Sequence, residues 1–187
     1  ILYRMDRFER SPSDWGTFWL SDDPAQAGSS TWGNVCVRIC TWVRLWDIQN
    51  GIHVTVLNTH WDHVHQGSRE KSAQLIAQRL RILAGSYPAV VMGDFNVTLE
   101  NKALQILCGG ESQADAVIPL CSGLHSVAPH LSDHQTWHDW TGNPLGSWLI
   151  DHIFFSPHWA LQSAHIVTDA TEGPWPSDHF PIVVTAT

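Results

Sequence analysis

Two periods run through this chain, alternation by two and spacing by three to four, and the switches between them mark the elements. Val35 to Arg44 alternates cleanly. Val35, Val37, Ile39, Thr41 and Val43 share one face of a strand, and Cys36, Arg38, Cys40, Trp42 and Arg44 share the other. Asn50-Gly51 is a hairpin signal and Ile52 to Thr59 is the returning strand, which predicts an antiparallel pair with one buried face. The period then changes. Ala73, Ile76, Leu80 and Leu83 form a helical stripe within Ser68 to Ala84, with Ser68 as cap, Gly85 as stop, and Arg69, Glu70, Lys71, Arg79 and Arg81 on the solvated face. Ala89 to Met92 is a short buried strand that stops at Gly93.

The flanks read less sharply. Ile1 to Tyr3 has the character of a strand remnant, ahead of the charged run Arg4 to Arg10. Thr17 to Leu20 is a short strand, Ser21 to Asn34 a Ser/Gly/Asp-rich loop, and Leu99 to Leu107 a short helix. Gly109 to Gly146 is loop-rich. Trp148 to Phe155 and Ile182 to Thr185 are the last two strands. Strands outnumber helices and come as hairpins, so the fold class is α/β in the α+β sense, with helices layered on packed sheets.

Composition narrows the function. A chain of 187 residues with 43% apolar content suits one domain, 1–187, with a substantial core. Charged residues are only 15%, and eleven Trp and twelve His take up the difference. A net charge of −8 argues against salt-driven binding to duplex DNA, which needs a basic face. No apolar run reaches the ~18 residues of a membrane span. Cys36 and Cys40 lie roughly 13 Å apart if both sit in one strand, too far to bridge. Cys108 and Cys121 are free to pair with each other or to stay reduced.

The chemistry gathers at strand ends. Asp94 and Asn96 follow the stop at Gly93, setting a carboxylate and an amide side by side on short stems. Taken alone, Gly, Asp and Asn also make an ordinary turn. Three other stretches add the same residue types at strand ends: NTHWDH at 58–63, LIDHIFF at 149–155 and PSDHFPIVV at 176–184. A hard divalent cation needs one or two carboxylates plus substrate phosphate. Phosphodiester hydrolysis needs a water, a base and donors on the developing charge. Asp94, Asn96, Asp151 and Asp178 supply oxygens; His60 and His179 supply imidazoles. Asp151 is the candidate to orient a basic histidine, and His60 to face phosphate. Trp61, Trp137, Trp140 and Trp175 neighbour these motifs and could stack a base or sugar, or simply pack. A different reading takes His60-Trp61-Asp62-His63 as the H-x-D-H part of a metallo-β-lactamase-type site.

The ordered set NTHWDH, GDFN, IDHIFFSP and SDHFP resembles the endonuclease/exonuclease/phosphatase superfamily, with FWLS, RICTW and TWHDWTG resembling a bacterial branch of it. The resemblance implies a four-layered DNase I-like sandwich of two mostly antiparallel sheets flanked by helices, hydrolysing phosphate esters with Mg²⁺ or Mn²⁺. By position it implies His60 as phosphate contact, Asp94 and Asn96 as the pair orienting the nucleophile, and Asp151 behind the catalytic His179. Asp178 would bind metal together with Asp94. Arg38, Trp61, Asp62 and His63 would face the substrate, whether nucleic acid, nucleotide or lipid head group.

Two departures stand out. Position 152 is His where the family commonly has an aromatic. The family's opening strands, with an Asn and a metal-binding Glu, have no counterpart here, and Glu9 is in the wrong context to replace that Glu. The chain therefore reads as a C-terminal portion of the domain with an open sheet edge, through which it could self-associate, or as a catalytically impaired binding module.

Overall fold

The computed structural model describes residues 1–110, 118–169 and 173–187. Its main sheet has seven strands: β1 (Phe8–Glu9), β2 (Trp15–Trp19), β3 (Ile39–Asp47), β4 (Ile52–His60), β5 (Ala89–Asp94), β6 (Cys121–Ser122) and β7 (Asp151–Phe155). The spatial order is β1-β3-β4-β5-β7-β6, with β2 also paired to β3. All pairs are antiparallel except β4 with β5, which are joined through helix α1 (Gln66–Ala84). A second sheet pairs β8 (Leu161–Ile166) with β9 (Ile182–Ala186). The short helices α2 (Lys102–Leu107) and α3 (Gly123–Val127) complete the described elements, with a single 3-10 turn at Pro129–Leu131.

Register fixes which face each side chain takes. Trp42, Leu57, Val91 and Phe154 are partners across four adjacent strands. They bury against Ala73, Ile76 and Leu80 of α1 and Leu104 and Leu107 of α2, forming the larger core. A smaller core gathers Leu124, Ala128, Ile166 and Phe180, with Leu149, Trp175 and Ile182 packed against it, and so joins α3 to the second sheet.

Several expectations need correction. Ile1–Tyr3 is irregular, and the N-terminal strand is instead Phe8–Glu9, docked where Arg7 makes a two-pronged ion pair with Asp47 at 3.0 and 2.8 Å. Strand β3 begins at Ile39, because Asp62 accepts the Val35 and Cys36 N–H groups that a ladder would need. Val35, Val37 and Ile39 are exposed, and the face packed on the core is that of Cys40 and Trp42. The N-cap of α1 is His65, whose Nδ1 accepts from Ser68 N at 3.0 Å. Arg69 is buried on α1 and donates to the Asp62 carbonyl at 2.8 Å. Helix α2 starts at Lys102, capped by Asn101. The last strands are β7 from Asp151 onward, β8 and β9, so two expected strands are three. All four cysteines are free thiols, Cys36 and Cys121 exposed. Within the loop-rich Gly109–Gly146, residues 111–117 lie outside the described residues.

Candidate active site

Parity places the chemistry on the face opposite the larger core. His60 on β4 is the register partner of Asp94 on β5, and Asp94 is the partner of Asp151 on β7. Three adjacent strands therefore end in a row of His, Asp and Asp. Gly93 makes that row possible. Its φ is 143°, and a Cβ there would meet the Thr59 carbonyl oxygen at 1.9 Å, so only glycine lets β4 and β5 close up before Asp94. His60 Nε2 lies 3.2 Å from Asp94 Oδ2.

Asn96 follows in the left-handed region at φ 54°, a conformation asparagine tolerates. Its N–H donates to Asp94 Oδ1 at 2.8 Å, and its Nδ2 donates to the Trp61 carbonyl at 3.0 Å. His179 arrives from the segment leading into β9. Its Nδ1 is 2.7 Å from Asp151 Oδ2. The carboxylate can only accept, so Nδ1 carries the proton and Nε2 keeps its lone pair. One ligand atom each from Asp94, Asp151 and His179 falls within 4.8 Å of the others, a grouping that could hold a metal ion.

The electrostatics follow from crowding. Burial first, then the facing Asp151 carboxylate, push Asp94 up to about 6. His60 is pushed down to about 4, by burial first and then by the Arg38 charge, so it is neutral at pH 7. The hydrogen bond to Asp151 raises His179 above its ordinary value, against a smaller opposing effect of burial. Arg38 Nη2 lies 3.3 Å from His63 Nδ1, while the buried Arg38 Nε finds no hydrogen-bond partner among the described residues. The Arg38 guanidinium charge, close enough to act on both His60 and Asp94, is suited to an anion. The two carboxylates pressing on each other are equally suited to a hard divalent cation.

The structure thus brings together His60, Asp94, Asn96, Asp151 and His179, with Arg38 and His63 alongside. It does not do so for all the others. Trp61 is fully buried, edge-on to Phe95 with ring centroids 4.7 Å apart, so its side chain cannot meet a substrate. Asp62 is also fully buried, and its carboxylate accepts from the N–H groups of Val35, Cys36, Val64 and His65. It shapes the loop and holds no ligand, which also removes the central Asp from the H-x-D-H reading. Asp178 neighbours His179 but stands outside the three-group cluster. Trp175 packs on His138 and Phe180, whereas Trp140 is exposed.

Sequence reasoning passed over two residues. Thr136 is fully buried, and its hydroxyl accepts from the N–H groups of Ile150 and Asp151, both at 3.1 Å. Its carbonyl accepts from Phe180 N at 2.7 Å, so one residue ties the start of β7 to the His179 segment. Its presence in the TWHDWTG stretch was the available signal. Trp148 is 52% exposed and edge-on to Trp137 at 5.4 Å.

The profile of the endonuclease/exonuclease/phosphatase family matches residues 1–179. Among solved structures, an endonuclease/exonuclease/phosphatase of Bacteroides vulgatus is 33% identical with a TM-score of 0.85, covering 99% of this chain and 68% of its own. A mannosyl-6-phosphatase of Bacteroides thetaiotaomicron VPI-5482 is 28% identical at TM-score 0.84, over 99% of this chain and 69% of its own. D. rerio TDP2, crystallised with a single-strand DNA product, is 14% identical at TM-score 0.72, over 99% and 70%, a likeness of fold alone. No curated protein sequence matches the chain significantly. The chain spans about two thirds of the length of these structural relatives.

Proposed function

The chain belongs to the endonuclease/exonuclease/phosphatase family, with its DNase I-like fold, and from that premise we propose that it is a divalent-metal-dependent phosphoesterase. The observation that carries the reading is the row His60, Asp94 and Asp151 at the ends of three paired strands, with His179 held at 2.7 Å from Asp151.

In this mechanism His179 is the base. Its Nδ1–H is fixed on Asp151, so Nε2 takes a proton from the attacking water and Asp151 stabilises the imidazolium that forms. One hydrogen of the Asn96 amide is engaged with the Trp61 carbonyl, and the other is left for a phosphoryl oxygen. His60, whose Nε2 is 3.2 Å from Asp94 Oδ2, and the guanidinium charge of Arg38 flank that group and add to its stabilisation. Mg²⁺ or Mn²⁺ would be held by the Asp94 carboxylate, with Asp178 as a further oxygen donor, and would supply charge neutralisation on the phosphoryl oxygens. A phosphate ester is therefore the substrate; a nucleic acid, a nucleotide and a lipid head group all carry one. The mannosyl-6-phosphatase relative adds a sugar phosphate to that range. A binding module without catalysis is the second reading.

Hydrolysis of p-nitrophenyl phosphate and bis(p-nitrophenyl) phosphate, with added Mg²⁺ or Mn²⁺ and with EDTA, tests the proposal. Turnover of at least one ester that EDTA abolishes and the cation restores is the expected result. Metal binding without any turnover would favour the binding module.

A further inference from the structure

The histidine at position 152 is unused by the mechanism above. It sits on β7 next to Asp151 but points to the opposite face, as the register partner of Gly93. It is 3% exposed, with Phe154 and Phe95 rings 5.5 and 5.8 Å away. Its Nε2 is 2.9 Å from the Val97 carbonyl, which can only accept, so Nε2 carries the proton and Nδ1 is left as an acceptor.

His152 lines a cavity of about 290 Å³. Its other polar lining residues include Thr98, Ser132 and Ser147, whose hydroxyls make no side-chain hydrogen bond among the described residues, together with Glu100 and His125. Thr98 and Ser147 also line a second cavity of about 230 Å³, together with Asn96 and the half-exposed Trp148. The two cavities adjoin across these shared residues, a two-part trench with Asn96 lining one part and His152 the other. No Lys or Arg lines either cavity among the described residues.

Such a trench suits one kind of chemistry. A polynucleotide brings a phosphate with every sugar, and each needs a cation that is missing here. The Glu100 carboxylate repels it further. Hydroxyl groups, by contrast, donate to Glu100 and His152 and exchange hydrogen bonds with Thr98, Ser132 and Ser147. An indole beside the entrance gives the apolar face of a ring a surface to lie on. The volume is at the lower end of the range for small-molecule sites, roughly 300 Å³ upward.

We propose that this trench is the leaving-group subsite, and that it takes a neutral polyhydroxylated group, so the substrates are phosphate esters of sugars or polyols. The proposal rests on the phosphoesterase reading, and its test separates the two. The kcat/KM of the Mg²⁺-loaded enzyme is compared for a hexose 6-phosphate, p-nitrophenyl phosphate and a short oligonucleotide, in the wild type, His152→Phe and Ser132→Leu. The wild type should prefer the hexose ester to the oligonucleotide. Both variants should lower the ratio of hexose-ester to p-nitrophenyl-ester kcat/KM about tenfold, since one acceptor or one open wall is lost. A disturbance of the neighbouring Asp151 would lower both rates and leave the ratio unmoved. Hydrolysis of p-nitrophenyl phosphate with no preference for the hexose ester, or with an unmoved ratio in both variants, overturns the subsite and spares the phosphoesterase. If no ester is hydrolysed, the phosphoesterase reading falls, and the subsite is then judged by binding alone. The imidazole ¹⁵N resonances of His152 should shift saturably with a methyl hexoside, and no such shift overturns the proposal.

Discussion

At the residue scale, Asp94 and His179 carry opposite strains that pH can separate. Asp94 is raised from an ordinary 3.8 to about 6, so the folded state holds its proton more tightly than the unfolded chain does. The cost of ionising it is absent below 3.8, grows as pH rises toward about 6, and is complete above that. Asp94→Asn should therefore stabilise the metal-free protein by on the order of 2 kcal/mol at pH 8 and by nothing near pH 3.5, while abolishing turnover. Urea melts in EDTA at the two pH values check this. His179 runs the other way. Asp151 raises it above 6.5, so its stabilising contribution is full below 6.5 and is lost as pH rises through the raised value. As the base it must be neutral, so the rate should climb with pH through a value above 6.5. In Asp151→Asn that limb should move to lower pH, and kcat should fall by about 10²-fold, as a pH–rate series will show.

At the element scale, the row of strand ends depends on β4 and β5 closing without a side chain between them. Gly93→Ala puts a methyl 1.9 Å from the Thr59 carbonyl oxygen, against backbone that cannot give. A loss of more than about 4 kcal/mol is expected, seen in urea unfolding or as insoluble protein. This stop was legible in the sequence, because an apolar run ending in Gly-Asp-Phe-Asn has few structural readings. The hairpin through Asn50-Gly51 and the stripe of α1 were legible too, since each rests on local periodicity. What misled was long-range. Alternation predicts a strand from Val35, yet Asp62, distant in sequence, takes the N–H groups of Val35 and Cys36. Strand β8 escapes pattern reading because a register shift between Leu161 and Ser163 breaks its period. Thr136 escapes because a threonine inside a Trp-rich loop shows its worth only once Asp151 and Phe180 are placed around it.

At the scale of the whole molecule, the site is a junction. His60, Asp94 and Asp151 come from the seven-stranded sheet, while His179 comes from the segment entering the second sheet, anchored by Phe180 in the smaller core. No helix among the described residues is long and apolar enough to cross a membrane. A cation bound only to the assembled site should stabilise the fold by mass action. Millimolar Mg²⁺ should then raise Tm by a few degrees in the wild type and by less in Asp94→Asn, read by differential scanning fluorimetry. The most direct measurement is the Mg²⁺-dependent turnover of bis(p-nitrophenyl) phosphate or p-nitrophenyl phosphate by purified His179→Ala beside the wild type, with thermal melts of both. With His179 as the base, a fall of about 10²-fold or more in kcat is expected with the folded state intact. A folded His179→Ala protein that turns over within a few-fold of the wild type would rule out His179 as the base.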